Sequence, residues 1–412
     1  MKIDELKNKK ILILGFGREG RDTFLFLKKL GFRMEIGISD KRNLKMKNAH
    51  TGKNYLRAVK NYDIIIKTPG IPLKSISPYL KKSSKVTSQT DIFFNNFQGK
   101  IIGVTGTKGK STTSSLIYAI LKKAGIKTYL AGNIGKPVLD FLFKKDCVFV
   151  YELSSHQLCN LKKSPNVAVF LNIYPDHLDY YKTFNEYVSS KKSITKYQTE
   201  KDYLIYNIED PIVRKIAKKS KAKKISIKGE YYDLNINAAK ETAKIFNIPE
   251  RIVSKTVKNF KFLEHRLEFV GKFKGIDFYN DSMSTIPQTT IFALNFFGDK
   301  VQTLILGGSD KNLDFKGLNK RIDNSEIKTL ILFPCTGRKI WKGIQSKKRF
   351  QHFFVDDMSE AVKLCYLHTD KEKICLLSPG CASFTGFKDY RERGNLFKRE
   401  VLRFKNRKKE LL

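Results

Sequence analysis

Short apolar runs recur along this chain, each ending on glycine or a polar residue and each followed by a stretch with helical spacing. The first three lie at 11–14, 34–38 and 62–66. Runs of this kind alternating with helices fit the strands of a parallel sheet, so residues 1–94 are expected to form a doubly wound α/β unit. The alternation resumes from 95 to 262, with apolar runs at 101–102, 146–152 and 167–172. From 263 to 412, further runs at 276–279, 303–306, 329–332 and 374–377 predict a third α/β domain.

Ligands of open α/β sheets gather at the carboxyl ends of strands, which directs attention to the polar residues closing each run. The strongest signal is Gly103-Val-Thr-Gly-Thr-Lys-Gly-Lys-Ser-Thr112. It follows Ile101 and Ile102 and opens a stretch in which Ile117, Ile120, Leu121 and Ala124 recur at helical spacing, with Gly125 placed to cap it. A glycine turn leading into a helix points backbone N–H groups at a polyphosphate. Gly106, Thr107, Lys108 and Gly109 form the expected cradle and Lys110 supplies a point charge. Ser111 and Thr112 stand at the helix start, where the Ser111 hydroxyl suits Mg²⁺. Val104 occupies the place of the pattern's first glycine, so the loop is a variant. A second glycine turn, Gly15-Phe-Gly-Arg-Glu-Gly20, follows the first run, and Asp40 ends the second. This is the dinucleotide-binding fingerprint, which marks a phosphorylated ligand without saying which.

Glu152, Asn172, Asp176 and His177 close the next two runs and are expected near the phosphate loop. Of these, Glu152 and His177 suit Mg²⁺. The following helix poses a puzzle. Thr183 and Glu186 read as a capping box, and counting about 100° per residue from there puts Phe184, Tyr187, Val188 and Ile194 on one face with Lys191 near its centre. An inward lysine is costly unless paired or chemically altered, so Lys191 is expected to be an ion-pair partner or a functional group; the alternative is a side chain reaching out to solvent. In the last segment, polar loops follow strands at 280–285, 307–311 and 378–394, the last dense in hydroxyl, aromatic and basic residues that suit a small carboxylate.

Composition narrows the classes. With 412 residues, 41% of them hydrophobic, the chain can fill two or three cores. No apolar run approaches a membrane span, and the N-terminus passes directly into a strand and glycine turn, so a cytoplasmic protein is expected. Six cysteines without CxxC spacing argue for reduced thiols and against a zinc site. The net charge of +39 invites a nucleic-acid reading, but the lysines are spread along the chain, with small clusters at 218–224, 347–349 and 403–409, and no nucleic-acid module accompanies them. No nucleic-acid partner is expected.

Taken together, the motifs resemble the Mur ligases along nearly the whole chain. TGTKGKST, AGNIG (131–135), YELSSHQL (151–158), NIYPDHLD, EHRLE (264–268), YNDS, GGSDK and SPGCASFTGFKDYRERG stand in the family's order, and the last most resembles the glutamate-adding members. The resemblance implies three domains: a Rossmann-like domain (1–94) binding UDP rather than NAD, a central P-loop ATPase-like parallel-sheet domain (95–262) and a C-terminal Rossmann-like α/β domain (263–412) for glutamate. It implies a monomeric, ATP-dependent amide ligase that joins D-glutamate to UDP-N-acetylmuramoyl-L-alanine through an acyl phosphate in peptidoglycan synthesis.

Carried over position by position, Gly106 to Thr112 with Arg266 and Asp281 match ATP contacts, and Lys110, Lys191, His177 and Asn133 match the catalytic set. Ser111, Glu152, His177 and Lys191 match the metal positions for two Mg²⁺ ions, with Lys191 carbamylated and so an anionic ligand rather than a cation. Phe16, Gly17, Arg18, Asp40 and Lys41 match the UDP-binding turn, Asn133 a substrate position, and Thr285, Lys311, Ser383 and Tyr390 the glutamate pocket, Tyr390 replacing the usual phenylalanine. Two departures stand out: Met283 replaces the lysine of DSKAT, and Gly229-Glu-Tyr-Tyr232 replaces GxHN ahead of Asn235. The competing readings are the same chemistry with L-glutamate, a folylpolyglutamate-synthase-like ligase, a nicotinamide-dependent dehydrogenase using Gly15 to Gly20 and Asp40, and a basic nucleic-acid binder with a degenerate ATPase domain.

Overall fold

The computed structural model describes residues 1–132, 138–159, 161–176, 180–229, 231–260, 264–383 and 386–405. Among them the strands form three sheets, and the chain divides into two compact units, Met1–Phe260 and Lys261–Leu412. The α/β class read from the alternation is the one observed.

In the first unit, β1 (Lys10–Leu14), β2 (Glu35–Asp40), β3 (Ala49–Thr51), β4 (Ile64–Lys67) and β5 (Lys85–Thr87) make a parallel sheet in the order β3-β2-β1-β4-β5. Ile11 to Leu14 are wholly buried because helices cover both faces, which is why the run does not alternate. The order reverses at β1, and the first glycine turn leaves from there. Gly15 sits at φ +92°, and a Cβ on it would meet Thr68 Oγ1 at 2.1 Å, so only glycine fits. The three-residue strands β3 and β5 have no periodic signature and are not legible in the sequence.

The second sheet contains β6 (Lys100–Thr105), β7 (Thr128–Gly132), β8 (Val148–Glu152), β9 (Val167–Phe170), β10 (Tyr203–Asn207) and β11 (Lys223–Ile227), in the order β11-β10-β9-β6-β8-β7. β6 lies between β8 and β9, so the phosphate loop leaves the sheet at its middle. The helix Lys110–Lys123 buries Leu116, Ile117, Ile120 and Leu121, and Leu234 and Ala238 of the helix Tyr231–Ile245 join the same core. The two sheets share a core of their own. Phe93 and Phe94 on the helix Gln89–Asn96, with Phe97, pack on Phe149 and Tyr151 of β8, the Phe93 and Phe149 ring centroids 4.6 Å apart. The boundary expected at 94 therefore falls inside a helix that serves both sheets.

The second unit holds β12 (Glu268–Phe273), β13 (Ile276–Asn280), β14 (Val301–Gly308), β15 (Thr329–Cys335), β16 (Gln351–Phe354) and β17 (Ile374–Leu377), in the order β12-β13-β17-β14-β15-β16. All pairs are parallel except the hairpin β12–β13, whose turn puts Lys274 and Gly275 both at positive φ, as a tight hairpin of this hand requires. Among the described residues no helix is long and apolar enough to cross a membrane.

Candidate functional site

The first glycine turn is organised by a carboxylate. Phe16 N donates to Asp40 Oδ2 at 2.7 Å; Arg42 donates from N and Nε to Oδ1, each at 2.9 Å, and from Nη2 to Oδ2 at 2.9 Å. The Arg42 hydrogen bonds and the Phe16 N–H hold the Asp40 carboxyl far below the usual carboxylate range, against its burial. Phe16, Gly17 and Arg18 thus sit at the end of β1 beside Asp40 and Lys41 at the end of β2. A Cβ on Gly17 would meet nothing within 4 Å, so the turn opens onto free space there, as a ligand cradle should. Arg42 lies outside the glycine fingerprint; the sequence signal for it is its place two residues after Asp40, within reach of a bidentate pair.

The phosphate loop is tied down from several sides. Gly109 is the N-cap of the helix Lys110–Lys123 at φ +86°, and a Cβ there would strike Asn235 Oδ1 at 2.4 Å. Asn235 also accepts from Thr113 Oγ1 at 3.0 Å, so the helix carrying the departed GxHN segment still presses a buried amide onto the loop. Asn172 holds the other side: its carbonyl accepts from Thr107 N at 2.9 Å, its Oδ1 from Lys108 N at 2.8 Å, and its Nδ2 donates to Lys108 O at 3.1 Å. Thr107 Oγ1 accepts from Tyr174 N at 2.9 Å and lies 2.9 Å from the Tyr187 hydroxyl.

Two lysine side chains converge on one carbonyl. Lys110 Nζ donates to Gly106 O and Thr107 O, both at 2.9 Å, and Lys191 Nζ donates to Gly106 O at 2.8 Å. Lys191 lies inward as its helical phase predicts: in the helix Phe184–Lys196, Tyr187, Lys191 and Ile194 are buried and Lys192 is exposed. Burial, then the charge of Lys110, push the Lys191 amine well below its ordinary range, which favours the neutral form. The capping box is half as expected. Thr183 Oγ1 accepts from Glu186 N at 3.2 Å, but Glu186 Oε2 accepts from Lys182 N at 2.9 Å, one residue before the cap.

Glu152 ends β8, fully buried and level with Val104 of β6 and Gly132 of β7, so its carboxylate lies beside the strand that delivers the phosphate loop. Asp176 stands 3.9 Å from Lys108 Nζ. Asn133 and His177 lie outside the described residues. Among the described residues no three or more His, Cys, Asp or Glu side chains cluster as metal ligands. The Glu152 carboxylate and the Ser111 hydroxyl at the helix start are hard oxygen donors of the kind that fits Mg²⁺.

In the second unit, Arg266 Nη1 lies 3.8 Å from the buried Asp281. Asp281 accepts from Leu267 N at 3.2 Å, Ser378 Oγ at 2.8 Å and Ser284 Oγ. Burial raises its pKa despite the opposing pull of Arg266 and these donors. Thr285, Lys311, Ser383 and Tyr390 belong to segments that leave β13, β14 and β17, which are neighbours in the sheet, and the helix Tyr390–Phe404. Ser309 N donates to Ala382 O at 2.9 Å, and Ser282 Oγ to Tyr390 O at 2.8 Å, linking these segments. Met283 donates its N–H to His265 O at 3.0 Å, so its backbone keeps a structural tie where the family's lysine side chain is lost.

Residues 104–277 match the model of the Mur ligase middle domain. The chain is 34% identical over 457 aligned residues to the UDP-N-acetylmuramoylalanine–D-glutamate ligase of Acetivibrio thermocellus, covering 96% of this chain and 97% of that protein. It is 33% identical over 422 to the enzyme of the same name from Aquifex aeolicus, covering 95% and 98%. Among solved structures, the fold matches MurF ligase from Thermotoga maritima in complex with ADP (TM-score 0.62, 16% identity, 97% of this chain and 96% of that one). It also matches a pseudomurein peptide ligase type C from Methanothermus fervidus (TM-score 0.61, 18% identity, 96% and 99%).

Proposed function

The chain belongs to the Mur ligases, in their UDP-N-acetylmuramoylalanine–D-glutamate ligase (MurD) branch, and from that premise we propose how its residues divide the work. The enzyme is an ATP-dependent ligase that adds D-glutamate to UDP-N-acetylmuramoyl-L-alanine in peptidoglycan synthesis. Residues 1–94 hold the UDP end on the turn Phe16, Gly17 and Arg18 beside Asp40 and Lys41. Residues 95–262 hold ATP on Gly106 to Thr112, and 263–412 supply Arg266 and Asp281 to ATP and Thr285, Lys311, Ser383 and Tyr390 to glutamate.

The observation that supports the central assignment, ATP on Gly106 to Thr112, is the convergence of Lys110 and Lys191 on Gly106 O. In the first half-reaction the alanyl carboxylate oxygen attacks the γ-phosphorus and ADP leaves. Lys110 exchanges its two backbone carbonyls for phosphate oxygens and stabilises the charge that shifts there. In the second, the glutamate nitrogen attacks the acyl carbon, phosphate leaves and the nitrogen gives up a proton. Asn133 and His177 complete the catalytic set. A buried neutral amine is the form that adds to CO₂, so the Lys191 environment favours a carbamate, whose negative charge also removes the repulsion from Lys110. In this reading Ser111, Glu152, His177 and that carbamate would hold two Mg²⁺ ions, whose charge would offset that of the phosphates. The protein works as a cytoplasmic monomer without a nucleic-acid partner.

Phosphate release from ATP with UDP-N-acetylmuramoyl-L-alanine and Mg²⁺ tests the reading in three arms: no amino acid, D-glutamate and L-glutamate. Release with D-glutamate alone is expected. Release with L-glutamate alone, or with neither, overturns it.

A further inference from the structure

Arg393 is the largest fully buried side chain among the described residues, on the first turn of the helix Tyr390–Phe404. Its guanidinium donates from Nε to Ser282 Oγ at 3.0 Å and from Nη2 to Ser282 O at 2.8 Å, while Nη1 and Nη2 both reach Cys381 O at 3.2 Å. All of these acceptors are neutral. Among the described residues no carboxylate forms an ion pair with Arg393; Asp281, the carboxylate that acts on it electrostatically, pairs with Arg266. Burial lowers its pKa to about 10, which leaves it a cation at neutral pH. A buried charge facing only neutral oxygens is costly, and a hydrocarbon of the same size would fill the space without that cost.

The two carbonyls it grips belong to the loops that follow β13 and β17. Ser282 passes the connection to Tyr390 O, and Ala382, next to Cys381, binds Ser309 N. One guanidinium thereby joins the segments bearing Thr285, Lys311, Ser383 and Tyr390. Resting on the glutamate-site reading above, we propose that Arg393 is the positioning and specificity residue of that site. Its donors fix the loops that hold the amino acid, and its unneutralised charge makes the pocket favour an amino acid with two carboxylates over one with a single carboxylate. The fixed fork of the guanidinium serves the first role and its positive charge the second.

The test uses the full-length enzyme, with Arg393→Met, Arg393→Lys and Ser383→Ala beside the wild type. For each, kcat and KM are measured for D-glutamate, ATP and the UDP substrate, and D-glutamine is assayed as alternative substrate or competitor. In Arg393→Met the D-glutamate KM is expected to rise about tenfold or more and the preference for D-glutamate over D-glutamine to fall about tenfold, with the other two KM values within about twofold. Arg393→Lys keeps the charge and loses the fork, so its KM rises while the preference remains. A preference unchanged in Arg393→Met, or KM values that rise equally for all three substrates, overturns the proposal. Should Arg393→Met fail to fold, Arg393→Lys decides alone: raised KM with intact preference supports the proposal, and an unchanged KM overturns it. Ser383→Ala separates the two levels. A raised D-glutamate KM there with none in Arg393→Met sinks the role of Arg393, whereas an unchanged KM in Ser383→Ala removes the glutamate-site reading itself and the proposal with it.

Discussion

The chain contains the same local device twice, a glycine turn leaving the end of a parallel strand and entering a helix, and the two copies differ in how charge is arranged around them. At the first, a carboxylate organises the turn: Asp40 binds Phe16 N and is covered by Arg42. At the second, lysines line the turn: Lys110 and the buried amine of Lys191 meet on Gly106 O with Lys108 close by. Backbone geometry alone would suit a diphosphate in either place. In the proposed division the side chains separate the two: the first turn would hold a ligand that does not react there, and Lys110 and Lys108 at the second would bring positive charge to where phosphate charge shifts during reaction.

The comparison can be broken most severely at the second turn. Lys110→Ala and Lys191→Ala are each expected to lower kcat/KM by at least about a thousandfold in the phosphate-release assay. A carbamate carbon signal from ¹³C-bicarbonate should be present in the wild type and Lys110→Ala but missing in Lys191→Arg, so its presence in Lys191→Arg would remove Lys191 as its site. At the first turn the effects should be in binding. Asp40→Asn is expected to raise the KM for the UDP substrate about tenfold with kcat within about twofold, since charge-assisted bonds to Phe16 and Arg42 are weakened. Because the folded pKa of Asp40 is depressed, the stability it supplies is present above the unfolded carboxylate pKa and lost as pH falls below it. The melting-point difference between Asp40→Asn and wild type should therefore be full at pH 7 and shrink below about pH 4.

Gly17→Ala sharpens the contrast more gently. Space is open there and the backbone is in the extended region, so the melting temperature should stay within about 1 °C while the KM for the UDP substrate rises several-fold. The smallest effect belongs to Asp22, on the helix that the first turn begins. Its pKa is raised to about 6, first by burial and then by Asp140, against a bond from Gln89 Nε2 at 2.6 Å. A raised carboxyl binds its proton more tightly in the folded state, so stability falls as pH climbs from about 4 to above 6. Asp22→Asn should stabilise the protein by about 1 kcal/mol at pH 7.5, discounted for partial exposure, and the gain should fade by about pH 4.

Much of this was legible in the residues because it rests on short-range patterns. Buried strands read as unbroken apolar runs, and the position of Lys191 followed from helical phase alone. The edge strands β3, β5 and β16 are short or exposed and left no such trace, and the hairpin β12–β13 was hidden because four of its first strand's six residues are half-buried and two exposed. The long-range ties were also out of reach. Nothing in the sequence says that Asn235 presses on Gly109 or that Arg393 reaches Ser282 and Cys381, since each pair is joined only by the sheet order. In the site, motif spacing identified the loops, whereas the charge state of Lys191 depends on burial that only the packed chain supplies.

The aromatic core shared by the first two sheets has a consequence for dissecting the molecule. The punctuation of the chain invites a cut near residue 94, yet it would part Phe93 and Phe94 from Phe97, Phe149 and Tyr151 and turn both sides of the cluster to water, several kcal/mol of exposed ring surface on each fragment by the area estimate, at about 25 cal/mol per Å². Fragments severed there should be sticky and ill-suited to measuring nucleotide binding by the first sheet alone. A cut after Phe260 respects the packing, and the 260-residue piece it releases is the smallest part of the first two sheets that should remain in solution by itself.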